Sequence, residues 1–173
     1  MICPSHGIIW KDDPAQIVKK YLEWCDNYSE NQISILYDTM WNSTRKMAEY
    51  IAKGIQEKDK NVIVKLCNLT KDDKNDVLTE VFKSKLILIG SPTINNGYSY
   101  ASSGILEMIK GLKFKGKKAA SFGSYGWSGE AVKLINVELT EAGFELVNEG
   151  LKLAWNPDET QKEQAIEFGR SLI

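Results

Sequence analysis

The stretch SILYDTMWNSTRKMA (residues 34–48) holds a strand, a polar loop and the start of a helix in immediate succession. The apolar run from Ile33 to Tyr37 is typical of a short buried strand. The residues from Thr39 to Thr44 are rich in hydroxyl and amide groups, and we call this segment the first loop. After it, apolar residues recur at the spacing of one helix face: Met47, Ala48, Ile51 and Ile55.

A loop that joins a strand to a helix in this way is suited to binding an anion. The first N–H groups of a helix have no partner within the helix, and its dipole is positive at that end. Thr39, Ser43 and Thr44 add hydroxyl donors, so a phosphate could be held without a lysine in the loop. The loop lacks the Gly-Lys-Ser/Thr ending of a Walker loop. An ordinary N-cap accounts for the same hydroxyl residues, because Ser and Thr often begin helices, and the first loop alone leaves both interpretations open.

Strand and helix patterns alternate along the rest of the chain. The strand-like runs are Ile33–Tyr37, Val62–Leu66, Leu86–Gly90, Lys118–Phe122 and Phe144–Leu151. The helical patterns fall at about Thr44–Lys58, Lys74–Lys83, Ser103–Lys110, Gly129–Ala142 and Glu159–Leu172, and an earlier helix begins near Asp13-Pro14. This alternation predicts a doubly wound α/β sheet with right-handed crossovers. Such sheets bind ligands at the carboxyl ends of their strands, so we expect the loops after the first, third and fourth strands to converge.

The second loop (residues 90–100, GSPTINNGYSY) follows the third strand and is rich in neutral donors and acceptors. Its Asn and Gly residues tolerate turn conformations that aim backbone amides at a ligand. This composition suits a flat heterocycle with carbonyls and ring nitrogens, although a plain polar surface turn is the alternative. The residues expected to contact the ligand are Pro92, Thr93, Ile94, Asn95, Asn96 and Gly97.

The third loop (residues 123–130, GSYGWSGE) follows the fourth strand and places two aromatic side chains among three glycines. Exposed aromatic rings on a glycine-rich turn are well suited to stacking on a ligand. The alternative is that Trp127 packs on the start of the next helix. The expected ligand contacts are Ser124, Tyr125, Gly126, Trp127 and Gly129. Together with the first-loop residues Thr39, Met40, Trp41, Asn42, Ser43 and Thr44, they describe a site for a mononucleotide with a flat ring, and FMN fits best.

Composition restricts the function further. The chain has 22 basic and 23 acidic residues, so its net charge of −1 predicts no nucleic-acid partner. No apolar run approaches the roughly 18 residues of a membrane span, and the N-terminus lacks the features of a signal peptide. Cys3, Cys25 and Cys67 are odd in number and widely spaced, which favours a reducing cytoplasm over a disulfide framework. His6 is the single histidine, so no metal site on imidazoles is expected within this chain.

The three loops resemble, in the same order, the FMN loops of the flavodoxin-like domain in flavodiiron proteins, and the resemblance runs from about Gln32 to the C-terminus. The N-terminal CPSHGIIW (residues 3–10) is similar to the end of that family's metallo-β-lactamase-like domain, whose histidine is an iron ligand. The resemblance implies a flavodoxin-like sheet of five parallel strands in the order 2-1-3-4-5 with helices on both faces. It also implies that residues 1–31 are a tail and linker helix left from the preceding domain, and that residues 32–173 form the FMN domain.

The family passes electrons through FMN to a di-iron centre that reduces oxygen or nitric oxide, so the resemblance implies a rubredoxin-like donor, a di-iron domain in the complete protein and a homodimer. The family's His-x-His-x-Asp motif is absent here, so His6 is expected to bind iron only in a complete protein. No catalytic residue is assigned, because FMN electron transfer needs no side chain as acid or base. The alternatives are a flavodoxin-like NAD(P)H:quinone reductase and a non-redox phosphate-binding or receiver-like signalling module. A receiver would need clustered acidic residues after the first strand, where only Asp38 lies.

Overall fold

The computed structural model describes all 173 residues, and strands and helices alternate along it as the sequence predicts. The elements are α1 (Ala15–Trp24), β1 (Glu30–Tyr37), α2 (Ser43–Lys58), β2 (Ile63–Asn68), α3 (Lys74–Lys83), β3 (Ser84–Gly90), α4 (Tyr100–Leu112), β4 (Lys118–Tyr125), α5 (Glu130–Glu141), β5 (Glu145–Leu146), β6 (Leu151–Ala154) and α6 (Glu159–Ser171). No helix is both long enough and apolar enough to cross a membrane.

All strands of the sheet are parallel, and their order is β2-β1-β3-β4-β5, with β6 also paired to β4. This is the flavodoxin-like order that the resemblance implies. The prediction of a single fifth strand at Phe144–Leu151 is wrong, because this stretch contains two short strands, β5 and the start of β6. Between them the Asn148 side chain accepts a hydrogen bond from the Gly150 N–H at 2.9 Å, which closes a turn and interrupts the pairing.

The core has two halves, one on each face of the sheet, because the side chains of β1 and β3 alternate between faces. Ile33 and Ile35 of β1 pack with helix α2 and with Phe122 of β4. Leu36 belongs to the opposite half, with the helices α3, α4 and α5. Burial on both faces holds the ends of β1, β3 and β4 rigidly side by side. The polar loops that follow these strands are therefore fixed relative to one another.

Helices α2 and α6 cross with their backbones almost in contact. A Cβ added to Gly54 of α2 would lie only 2.0 Å from the carbonyl oxygen of Ile166 in α6. A residue with any side chain at this position would force the helices apart, so this crossing depends on glycine.

The end of helix α1 and the segment after it lie at the amino end of the sheet, where Trp24 and Tyr28 pack on Phe82. Helix α1 has no buried residue, and its apolar side chains Val18, Tyr21 and Leu22 are exposed. The segment that follows α1 is anchored by Lys117, which is buried and whose Nζ donates to the carbonyl oxygens of Tyr28 at 3.0 Å, Phe82 at 2.6 Å and Ser84 at 2.8 Å. Burial lowers the pKa of Lys117 to about 8.

Candidate functional site

The three polar loops converge at the carboxyl edge of the sheet, because β1, β3 and β4 are neighbours in it. Hydrogen bonds join the loops to one another. The Thr44 and Ser124 hydroxyls are 3.0 Å apart, the Thr93 N–H donates to the Ser124 carbonyl at 2.8 Å, and the Ala131 N–H donates to Thr93 Oγ1 at 3.4 Å. The loops therefore form one continuous surface, as the sequence predicts.

The first loop offers an unusual number of free donors. No backbone N–H from Met40 to Arg45 has an acceptor within the protein. The Thr39 hydroxyl is buried and is the one buried side-chain polar atom of the chain without a hydrogen-bond partner. Buried polar groups are nearly always paired, so an orphaned hydroxyl calls for a ligand. These donors surround the N-terminus of the long helix α2, whose dipole favours a negative charge.

The backbone of the first loop is shaped to present these groups. Asn42 adopts a left-handed conformation with φ of 64°, and its side chain makes no cap hydrogen bond to α2. The plain N-cap interpretation therefore does not account for the loop, since its hydroxyl and amide side chains leave the helix N–H groups free. Asp38 holds the start of the loop, accepting from the Thr39 N–H at 2.8 Å and from the Thr70 hydroxyl at 2.7 Å.

The second loop forms a tight reversal. Asn95 and Asn96 both have positive φ, of 50° and 59°, and Ile94 and Gly97 exchange two backbone hydrogen bonds of 3.0 and 2.8 Å. Positive φ at both central residues is the mark of a type I′ turn, which asparagine tolerates. The turn leaves both Asn side chains exposed and able to meet the edge of a ligand.

The third loop starts later than the sequence predicts, because β4 continues to Tyr125. Ser124 is therefore a buried strand residue bonded to Thr44. The Tyr125 ring packs beneath Gly129, where an added Cβ would lie 3.1 Å from the ring. Trp127 is 90% exposed and is the aromatic side chain of this loop that is free to stack on a ligand. Glu130 begins α5, and hydrogen bonds from the Ser128 hydroxyl and its own backbone N–H lower its pKa.

The predicted contact residues divide by exposure. The exposed ones are Met40, Trp41, Asn42, Asn95, Asn96 and Trp127; the half-buried ones are Thr39, Ser43, Thr93, Ile94, Gly97, Tyr125 and Gly126; the buried ones are Thr44, Pro92, Ser124 and Gly129. Thr44 is fully buried with its hydroxyl bonded to Ser124, so its side chain joins the first loop to β4 and its N–H is left free. His6 is exposed on the N-terminal segment.

Sequence reasoning missed two aromatic residues at this edge. Tyr100 is the first residue of α4 and is 81% exposed. Trp155 follows β6, is 63% exposed and packs edge-to-face on Trp127. Tyr100 follows β3 and its loop, and Trp155 follows β6. Their places in the sequence were a signal that could have found them, because the carboxyl ends of parallel strands lie at the same edge of the sheet.

The fold and these loops define a doubly wound α/β domain with three polar loops that converge at the carboxyl edge of its sheet. The family model for flavodoxin matches residues 35–169, and the chain belongs to the flavodoxin family. Membership confirms the expected flavodoxin-like FMN domain.

The resemblance to flavodiiron proteins is confirmed as well. An anaerobic nitric oxide reductase flavorubredoxin of Aliivibrio fischeri is 52% identical over 172 residues, which are 99% of this chain and 34% of that protein. The flavodiiron protein of Giardia intestinalis superposes with a TM-score of 0.89 at 27% identity, over 96% of this chain and 41% of that one. Rubredoxin oxygen:oxidoreductase of Desulfovibrio gigas superposes with a TM-score of 0.85 at 32% identity, over 91% of this chain and 39% of that one. The chain thus spans about a third of the length of the curated relatives it matches.

Proposed function

We propose that the three loops hold one FMN non-covalently and that the domain carries electrons to a di-iron centre in a longer protein. The observation that carries the binding part is the orphaned Thr39 hydroxyl beside the free N–H groups of the first loop. A phosphate at the N-terminus of α2 would give these donors an acceptor. Because no lysine lies in the loop, neutral donors and the helix dipole hold the charge.

The second and third loops would hold the ring of FMN. Asn95 and Asn96 are exposed and would offer amide groups to the polar edge of the ring, while Trp127 would offer an indole face. The backbone N–H of Gly126, the residue before Trp127, has no acceptor within the protein and is a further donor on this loop. When bound, FMN supplies one- and two-electron transfer, and the chain's own residues bind the ring, orient it and exclude water from one face.

In the larger protein, residues 1–31 join this domain to a preceding di-iron domain. Support comes from helix α1, whose apolar side chains are exposed here, and from relatives that extend well beyond the matched region. The electron donor is a rubredoxin-like redox protein, and two copies assemble as a homodimer. The cysteines Cys3, Cys25 and Cys67 are all free, in keeping with a reducing cytoplasm.

A reductive titration of the reconstituted chain tests this function. The protein is loaded with FMN, desalted and reduced stepwise in the absence of oxygen while its visible spectrum is recorded. An electron carrier is expected to take up two electrons per bound flavin. It should then pass them rapidly to an oxidised acceptor protein such as a cytochrome. Steady NAD(P)H oxidation coupled to quinone reduction, with no added redox protein, would instead show the quinone reductase activity considered above and contradict the proposal.

A further inference from the structure

Trp155 holds an unusual position at the edge of the site. Its φ of 57° lies in the left-handed region, which bulky residues rarely adopt. Its N–H donates to the Tyr125 carbonyl at 2.8 Å and extends the pairing of β4 and β6 into the third loop. The strained conformation is therefore held in place by the sheet, and it fixes the direction in which the indole leaves the backbone.

The indole of Trp155 covers the backbone of the third loop. A Cβ added to Gly126 would lie 3.2 Å from Cη2 of Trp155, so the ring is in close contact with a residue that has no side chain. The ring also meets Trp127 edge-to-face, with centroids 5.7 Å apart and planes at 62°. We call Trp127 and Trp155 the indole pair.

A purely structural role explains this arrangement poorly. Trp127 is 90% exposed and Trp155 is 63% exposed, so neither indole fills the core. Trp127 sits on a short glycine-flanked turn, and Trp155 is the one ring that meets it. Without this contact, the Trp127 side chain would be free to change rotamer in water. Fixing the rotamer of an exposed indole costs conformational entropy. If the indole is already held in place before binding, this entropy is not lost when the ligand binds, and the affinity is higher.

We propose that Trp155 is a positioning residue for the flavin site. It holds the Trp127 indole and the Gly126 N–H in the orientation that receives the flavin ring. This inference rests on the proposed function, because the ring that Trp127 receives is that of FMN. Trp155 acts through the third loop, so its contribution depends on Trp127 being present.

A double-mutant cycle tests the inference, with Trp155→Ala, Trp127→Ala, the double variant and Trp155→Phe. An edge-to-face aromatic contact predicts that Trp155→Ala weakens FMN binding roughly 3- to 10-fold, and that Trp155→Phe recovers most of the loss. In the Trp127→Ala background the same change is expected to cost less than about 2-fold. Trp10→Phe, in the N-terminal segment, is the matched control and should bind FMN like wild type.

A second readout needs no flavin. The circular dichroism of the ligand-free protein should contain a signal from the two indoles in contact, which Trp155→Ala and Trp127→Ala should each remove and Trp10→Phe should keep. Equal losses of FMN affinity from Trp155→Ala in both backgrounds, or an unchanged indole signal, would overturn the inference. Wild-type protein that binds no FMN would overturn the proposed function itself, whereas Trp155→Ala protein that binds FMN like wild type would overturn this inference alone.

Discussion

Replacing Thr39 by valine separates ligand binding from folding in the first loop. The Thr39 hydroxyl is buried without a partner, and valine places a methyl group where the hydroxyl was. A buried unpaired polar group costs about 1–3 kcal/mol, so the ligand-free variant should be as stable as wild type or more stable by up to about 1 kcal/mol. A hydrogen bond to a charged phosphate is worth roughly 1.5–3 kcal/mol, so FMN binding should weaken about 10- to 100-fold.

The assay combines flavin titration with urea unfolding of the ligand-free protein. Riboflavin has the same ring as FMN and no phosphate, so its affinity for the Thr39→Val protein should change by less than about 2-fold. Thr79→Val, on the exposed face of α3, is the control and should leave both flavins unaffected. Equal losses for FMN and riboflavin, or a ligand-free variant that is clearly less stable, would refute the assignment of this hydroxyl to a phosphate.

Two further changes test the fold that supports the site. Gly54→Ala places a Cβ against the backbone of α6 and should lower the free energy of unfolding, measured in urea, by about 2–4 kcal/mol. The control Gly104→Ala, with open space around the added Cβ, should be neutral or slightly stabilising. Equal effects of the two changes would contradict the close crossing of α2 and α6. Lys117→Met tests the buried amine: because burial lowers its pKa from 10.5 to about 8, the unfolded chain binds more protons between these pH values, and the stability of wild type rises with pH there. Between pH 8 and pH 10.5 the free energy of unfolding of wild type, measured in urea, should rise by up to about 3 kcal/mol relative to that of the variant. A parallel pH dependence of the two proteins would show that Lys117 titrates normally. Lys118→Met, at an exposed position, is the control.

The strands β1, β3 and β4 could be predicted because continuous apolar runs are required where both faces of a sheet are buried. Helix α3 was predicted with its bounds, since Asp73 caps its first turn by accepting from two N–H groups. Helix α4 begins at Tyr100, after the cap residue Ser99, which is three residues before the predicted start at Ser103. The sequence did not indicate this first turn because its residues lie outside the apolar periodic pattern of the helix.

Other features depend on contacts that the sequence does not state. The continuation of β4 to Tyr125 rests on pairing with β6, and it turns the Ser124 hydroxyl inward to Thr44. The fifth strand is divided at a turn in which the Asn148 side chain accepts a hydrogen bond from the Gly150 N–H, and the second of the two strands leads to Trp155, whose N–H donates to Tyr125. The contact between Trp127 and Trp155 could not be predicted, because the two residues are far apart in the sequence and no local pattern relates them.

The most direct test of the account is the titration of the folded, ligand-free chain with FMN and with riboflavin, followed by flavin fluorescence and calorimetry. The expected result is one FMN per chain with quenched fluorescence, and an affinity for riboflavin at least about tenfold weaker, because riboflavin leaves the donors of the first loop without an acceptor. A folded chain that leaves FMN free in solution, or that binds both flavins equally well, would contradict the phosphate site at the N-terminus of α2.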